Sequence, residues 1–361
     1  MESVEKIKAD SQFLLTPRFA DKSLFSKEIE EAVRSYLVSL EAQKVKWAPL
    51  LKGVILTLIC FSQILFVFLS PPASVLEGTL RLIAIAFSVM FFGLNVMHEA
   101  AHRNLPGGEW VNMFFSYAMD ILGISSRVYR LKHVGFHHQF TNIYGWDGDI
   151  SETPLIRMAP SQEKWSMHRY QHLYAPMLYT LLTFAWVFND LERIVFRKVG
   201  RATIKRFKAW EITEILAFKF IHVYLFIVLP SLQFGFLKTF GGYMLVQGIL
   251  GLCLALIFQV AHLDQGSEFT SRESPHDWKV HQILSSADFS TNSPLTDFMM
   301  GGLNYQVIHH LYPHVSYRHY PAMQKIVAQK SREHGIAYRE YNSFYLAVKS
   351  HLLFLKRLGS S

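Results

Sequence analysis

The feature that most limits what this chain can become is a set of four long apolar runs almost free of charge. The first extends from Gly53 to about Ala73, with no charged residue between Lys52 and Glu77, and Pro71-Pro72 closes it. The second, Leu82 to Met97, carries no charged side chain and continues without a turn signal into His98. The third and fourth, Phe220 to Leu237 and Thr239 to Leu263, are separated by Lys238 and the Gly241-Gly242 pair, and read as a hairpin that turns there. Such a run satisfies its own backbone only as a helix, and its side chains find their solvent in lipid. The expected fold is therefore an all-α integral membrane protein with about four transmembrane helices, at about 50–72, 80–98, 216–237 and 240–263. A composition that is 50% hydrophobic and 14% aromatic agrees.

Two shorter apolar segments, Val111 to Ile124 and Tyr174 to Asn189, are interrupted by polar residues and read as interfacial helices. Ahead of the first span, Ile29, Val33, Tyr36, Leu37 and Leu40 recur at helical spacing, so residues 1–48 should contain an amphipathic helix. The net charge of +8 comes from scattered Lys and Arg with no dense basic block, which excludes a nucleic-acid reading. The scatter has a membrane logic. Nine Lys and Arg precede Gly53, fourteen lie from Arg103 to Ile212 and ten follow His262, whereas Arg81 and Lys238 flank the two short turns. The positive-inside rule places the three rich segments, including 264–361, in the cytoplasm as a helical cap. The first forty residues lack the order of a cleavable signal. Cys60 and Cys253 fall inside apolar stretches and read as buried hydrophobes.

Histidine is abundant, seventeen in 361, and clustered. In His98-Glu-Ala-Ala-His102 the i,i+4 spacing puts two imidazoles on one helical face, ready to share a metal. His133-Val-Gly-Phe-His137-His138 repeats the pair and adds an adjacent ligand that can turn toward a neighbouring metal. Gln306-Val-Ile-His309-His310 mimics a three-histidine box with Gln in the opening place. All three clusters lie beyond span ends on the side that the charge count makes cytoplasmic. His262 ends the fourth span at the depth of His98. Eight imidazoles exceed one coordination sphere and suit two metals, so the expected site is a dimetal redox centre held by His98, His102, His133, His137, His138, His262, His309 and His310. Glu99, Asp147 and Asp149 stand ready to orient ligand rings. His98-Glu99-x-x-His102 also fits a zinc metalloprotease, a rival that leaves the other two clusters without a purpose.

The three clusters together resemble the histidine boxes of the membrane fatty acid desaturase family. The likeness extends to Thr141-Asn142, to Gly145-Trp-Asp147-Gly-Asp149, and from Gly301-Gly302-Leu303-Asn304 through Leu311-Tyr-Pro313-His314, covering about Ala48 to Tyr341. The resemblance implies a single desaturase domain, two irons and molecular oxygen as co-substrate. The substrate it implies is a fatty acyl chain carried by coenzyme A, a carrier protein or a lipid. Gln306 in the opening place looks like the front-end (delta-5/delta-6) acyl desaturases, and sphingoid-base desaturases share it. A hydroxylase on the same scaffold uses the same metals. Many front-end enzymes carry a fused heme domain marked by His-Pro-Gly-Gly. Here the nearest string, Asn104-Leu105-Pro106-Gly107-Gly108, has Leu in the histidine place and reads as a turn. Electrons are then expected from a separate donor, a ferredoxin or a small b-type cytochrome with its reductase, at a bacterial cytoplasmic membrane. Gln306, whose amide is a poor ligand for ferrous iron, is expected to tune the site through a hydrogen bond to a bound water or a neighbouring ligand.

Overall fold

The computed structural model describes residues 16–40, 48–151 and 153–361, so most of the polar stretch on which the signal reading rests, and residues 41–47, lie outside the described residues. Among the described residues four helices are long and apolar enough to cross a membrane: Pro49–Leu69, Val75–Ala101, Ala209–Phe234 and Phe236–His262. Leu58, Leu65, Phe66 and Leu69 on the first and Phe220, Val223 and Leu232 on the third stand uncovered. Lipid accepts such a surface, whereas water would not. The second and fourth spans form the inner pair and bury much more of their surface. At 27 residues each is about 40 Å long, which exceeds a hydrocarbon core of about 30 Å. The surplus length carries His98 and His262 past the apolar layer.

Two local expectations need correction. The turn between the third and fourth spans lies at Gly235, whose φ of 83° suits glycine, and not at Lys238 to Gly242. Gly241 and Gly242 lie inside the fourth helix, where a Cβ at Gly242 would stand 2.9 Å from Leu82 Cδ1 of the second span. The glycine is there for close helix contact, and Lys238 sits on the same helix near its start. The third span begins at Ala209, earlier than 216, because its charges are matched: Glu211 and Glu214 pair with Arg127 at 3.1 and 2.6 Å, and Lys219 reaches Asp190 at 2.5 Å.

The remaining helices build a cap over the ends of the second and fourth spans. Glu109–Ile121 and Ser126–Lys132 follow the second span. The apolar segment at Tyr174 to Asn189 divides at Thr180-Leu181 into Gln171–Tyr179 and Leu182–Phe196. After the fourth span come Trp278–Leu284, Gln306–Leu311, Tyr320–Glu333 and Phe344–Ser360. The amphipathic helix, Leu24–Leu40, buries Phe25, Ile29 and Val33 in one cluster with Val280, Tyr320 and Met323 of the cap. Asp277 caps Trp278–Leu284 and also accepts from Ser26 Oγ at 2.7 Å, which fixes this helix for the site below. Asp288 accepts from the Val307 N–H at 2.9 Å and so fixes the start of the helix that carries His309 and His310. Asn104 to Gly108 forms a turn ahead of Glu109–Ile121.

Candidate metal centre

Two of the three histidine boxes adjoin widened helical turns. Gly93–Met97 and His133–His137 are single π turns, which re-aim the side chains that follow and recur at functional sites. The second changes the expected pairing within its box. His133 and His137 stack with ring centroids 5.5 Å apart, yet the two rings enter different groups. Adjacent His309 and His310 also divide, as neighbours on a helix must, with rings 87° apart.

The first group brings together His98, His102, His133 and His309, and the second His137, His262 and His310, with the facing ligand atoms of each group within 4.8 Å of one another. His98 Nε2 and His133 Nε2 stand 3.0 Å apart. His138 lies between the groups, its ring stacked on His310 at 4.2 Å and its Nε2 3.2 Å from His133 Nε2. All eight residues singled out in the sequence thus meet in one place. Other histidines do not. His222 bridges Ile121 O at 3.1 Å and Tyr243 Oη at 2.8 Å, and His281 bonds Thr141 O at 2.8 Å.

Several rings are aimed from behind. His137 Nδ1 donates to Asp147 Oδ1 at 3.1 Å, His262 Nδ1 to Ser285 O at 3.1 Å, and His310 Nδ1 to Gln282 Oε1 at 2.9 Å with Thr141 Oγ1 at 3.2 Å. Donation from Nδ1 leaves the Nε2 lone pair for a metal. Asn142, in the left-handed region at φ 58°, binds the second box to the fourth span by donating to His262 O at 2.9 Å. Its N–H donates to Asp147 Oδ2 at 2.9 Å. Of the carboxylates expected to orient rings, Asp147 does so and Asp149 lies 3.5 Å from His137 Nδ1, whereas Glu99 accepts from Asn104 at 2.8 Å. Gln282, Ser285 and the role of Thr141 escaped the sequence reading, since a lone polar residue far along the chain carries no spacing signal.

Burial first, and then the neighbouring imidazoles, hold His102, His133, His138, His309 and His310 well below the ordinary histidine value. Burial also opposes protonation of His137, but the Asp147 and Asp149 carboxylates outweigh it and raise the group. Five buried ring nitrogens, His98 Nδ1, His102 Nε2, His138 Nδ1, His309 Nε2 and His310 Nε2, have no hydrogen-bond partner. Buried polar atoms left unpaired are costly, and neutral imidazoles with open lone pairs are the donor set that transition metals take. The residues fit a metal centre.

The family model for fatty acid desaturases matches residues 77–342. The chain belongs to the fatty acid desaturase family. It is 30% identical to the sn-1 linoleoyl-lipid 6-desaturase of Arthrospira platensis, over 93% of this chain and 92% of that protein. The sn-1 linoleoyl-lipid 6-desaturase of Synechocystis sp. is 28% identical over 95% of this chain and 98% of its own length. A probable Delta(5) fatty acid desaturase C of Dictyostelium discoideum is 28% identical over 96% of this chain and 78% of its own length. In this desaturase a cavity of about 730 Å³ runs along the inner faces of the spans, from Ser74 and Lys238 at one end to Met97, His98 and Phe258 at the other. Its walls are mostly apolar. A fatty acyl chain laid in it has its reacting methylenes beside the histidines. The zinc protease alternative fails on the same geometry, because two further imidazoles, from His133 and His309, complete the group around His98 and His102, and Glu99 stands outside it.

Proposed function

We propose that this desaturase is a front-end acyl-lipid enzyme that inserts a cis double bond between the carboxyl end and an existing double bond, using two irons and molecular oxygen. The observation that carries the reading is the pair of imidazole groups set against the inner end of an apolar cavity of acyl dimensions. The relatives named as linoleoyl-lipid 6-desaturases, matched over nearly their whole length, support the substrate class and the position. Gln306 opens the third box and supports the front-end assignment.

In this reading His98, His102, His133 and His309 hold one iron and His137, His262 and His310 the other, with His138 serving between them. Bound there, the irons would supply the oxidising power that removal of two hydrogens from unactivated methylenes requires and no side chain has. The protein's part is position. Asp147, Ser285 and Gln282 fix ring direction, Gln306 donates to His262 Nε2 at 3.0 Å beside the second group, and the apolar wall excludes water from the reacting carbons. Electrons come from a separate donor, a ferredoxin or a small b-type cytochrome with its reductase. The Lys and Arg distribution supports a cytoplasmic site, and reporter fusions after His138 and at the C-terminus test it: a signal from the outer face refutes the sidedness. The matches to Arthrospira and Synechocystis proteins support a bacterial cytoplasmic membrane.

Expression in a host without polyunsaturated lipids, feeding of defined fatty acids and mass-spectrometric location of new double bonds test the function. The reading predicts a new cis bond on the carboxyl side of an existing one, in the lipid fraction. A hydroxyl at that carbon assigns a hydroxylase, a desaturated sphingoid base assigns that class, and a new bond on the methyl side refutes the front-end reading.

A further inference from the structure

The large apolar cavity meets a second, small cavity of about 40 Å³. Ile124, Tyr129, Trp186 and Phe258 line both and form a collar between them. Past the collar, the small cavity is bounded on one side by His133, His137, His262 and Gln306. On the other side stand polar side chains of the Leu182–Phe196 helix, Asn189 and Arg193 among them. A chain threaded through the collar therefore passes the metal centre before its end meets Asn189 and Arg193.

The volumes differ by more than tenfold, so the long part of an acyl chain fits only the apolar cavity and a short part only the polar one. Trp186, Asn189 and Arg193 follow one another at i, i+3 and i+7, on one face of their helix and about 10 Å from first to last. That is the reach of a few methylenes and a carbonyl. Arg193 is buried and pairs with Glu192 at 3.3 Å, and Lys132, held by Asp149 at 3.1 Å, faces the same space. Guanidinium, ammonium and amide N–H groups are donors, and an acyl carbonyl oxygen is an acceptor.

We propose that the small cavity is the carboxyl-end subsite, in which Asn189 and Arg193 donate to the ester carbonyl of the lipid-linked acyl chain. The spacing from this pair to the metal centre then sets how many carbons separate the carbonyl from the new double bond, and the far end of the large cavity does not. The inference rests on the front-end reading, because an enzyme that counts from the carboxyl end is the kind that needs a short polar compartment beside its metals.

The test gives acyl lipids of increasing chain length, with the same carboxyl-proximal unsaturation, to the wild type and to Asn189→Ala, Arg193→Leu and Arg193→Lys. Double bonds are located by mass spectrometry. In parallel, metal-stripped protein is titrated with a polyene-acyl glycerolipid whose fluorescence reports binding. Wild type should form its new bond at one carbon number from the carbonyl at every chain length. Asn189→Ala and Arg193→Leu should spread the product over two or more positions and weaken polyene-lipid binding about tenfold, equivalent to one lost hydrogen bond of about 1.4 kcal/mol. Arg193→Lys should restore part of both. A single wild-type position with wild-type binding in Asn189→Ala overturns the proposal, whether or not Arg193→Leu reaches the membrane. A wild-type product that moves with chain length is a different failure, that of the front-end reading, and is seen without any variant.

Discussion

Asp147 should be worth more to this site than its distance from the metals suggests, and Asp147→Asn measures how much. The carboxylate is fully buried, and three donors converge on it. Oδ1 accepts from His137 Nδ1 at 3.1 Å and from the Asp149 N–H at 2.9 Å, and Oδ2 accepts from the Asn142 N–H at 2.9 Å. An asparagine keeps one oxygen. Turned toward His137 it sets its NH₂ against the Asn142 N–H; turned the other way it confronts His137 and the Asp149 N–H. Either orientation leaves at least one buried donor unpaired, at about 1–3 kcal/mol, and removes the negative charge that holds His137 in place. The loss of a carboxylate behind a ligating histidine is worth about 10–100-fold in metal affinity or activity. Metal retention of purified protein against a graded chelator, with turnover on the same preparation, measures both, and Asp147→Glu serves as the conservative control. Asp147→Asn at normal abundance that keeps wild-type metal retention and wild-type turnover would refute the reasoning.

Each of the eight box and span-end histidines should lose turnover on replacement by Ala, whereas His222→Gln should keep it, because a glutamine can still bridge Ile121 O and Tyr243 Oη; full activity in two or more of the eight would sink the ligand set. Gln306→Ala should retain nearly all its iron and lose most desaturation, and Gln306→His should recover part; loss of half the iron would make Gln306 a direct ligand, and wild-type turnover would leave it a structural amide. Asp288 supplies a pH test. Burial raises its carboxyl to about 7, against the Tyr338 and Val307 hydrogen bonds, so the folded protein holds a proton that the unfolded chain releases near the ordinary value of 3.8. Its contribution is greatest below that value and is lost as pH rises toward about 7. Asp288→Asn should therefore flatten the fall of Tm between about pH 4 and pH 7, and an unchanged slope would show that Asp288 does not set it.

The parts of the fold that were legible rest on signals repeated along the chain. Four uncharged runs cannot be hidden, and three histidine boxes at one membrane depth announce a shared site. What was not legible depends on partners distant in sequence. Charges inside the third span did not mark its start because Arg127 and Asp190, from another part of the chain, satisfy them. The hairpin turn was misplaced because Gly241-Gly242 reads as a turn locally, while Leu82 of another span gives Gly242 its purpose. The division of His133 from His137 follows from a π turn, which i,i+4 spacing does not reveal. Gln282 and Ser285 act on rings that only the folded cap brings near them.

Metal analysis of the purified, detergent-solubilised protein, from cells supplied with both iron and zinc, tests the central claim most directly. The dimetal account predicts about two irons per chain, and loss of iron both in His98→Ala, from the first group, and in His310→Ala, from the second. One zinc per chain, unaffected by His310→Ala, would contradict it.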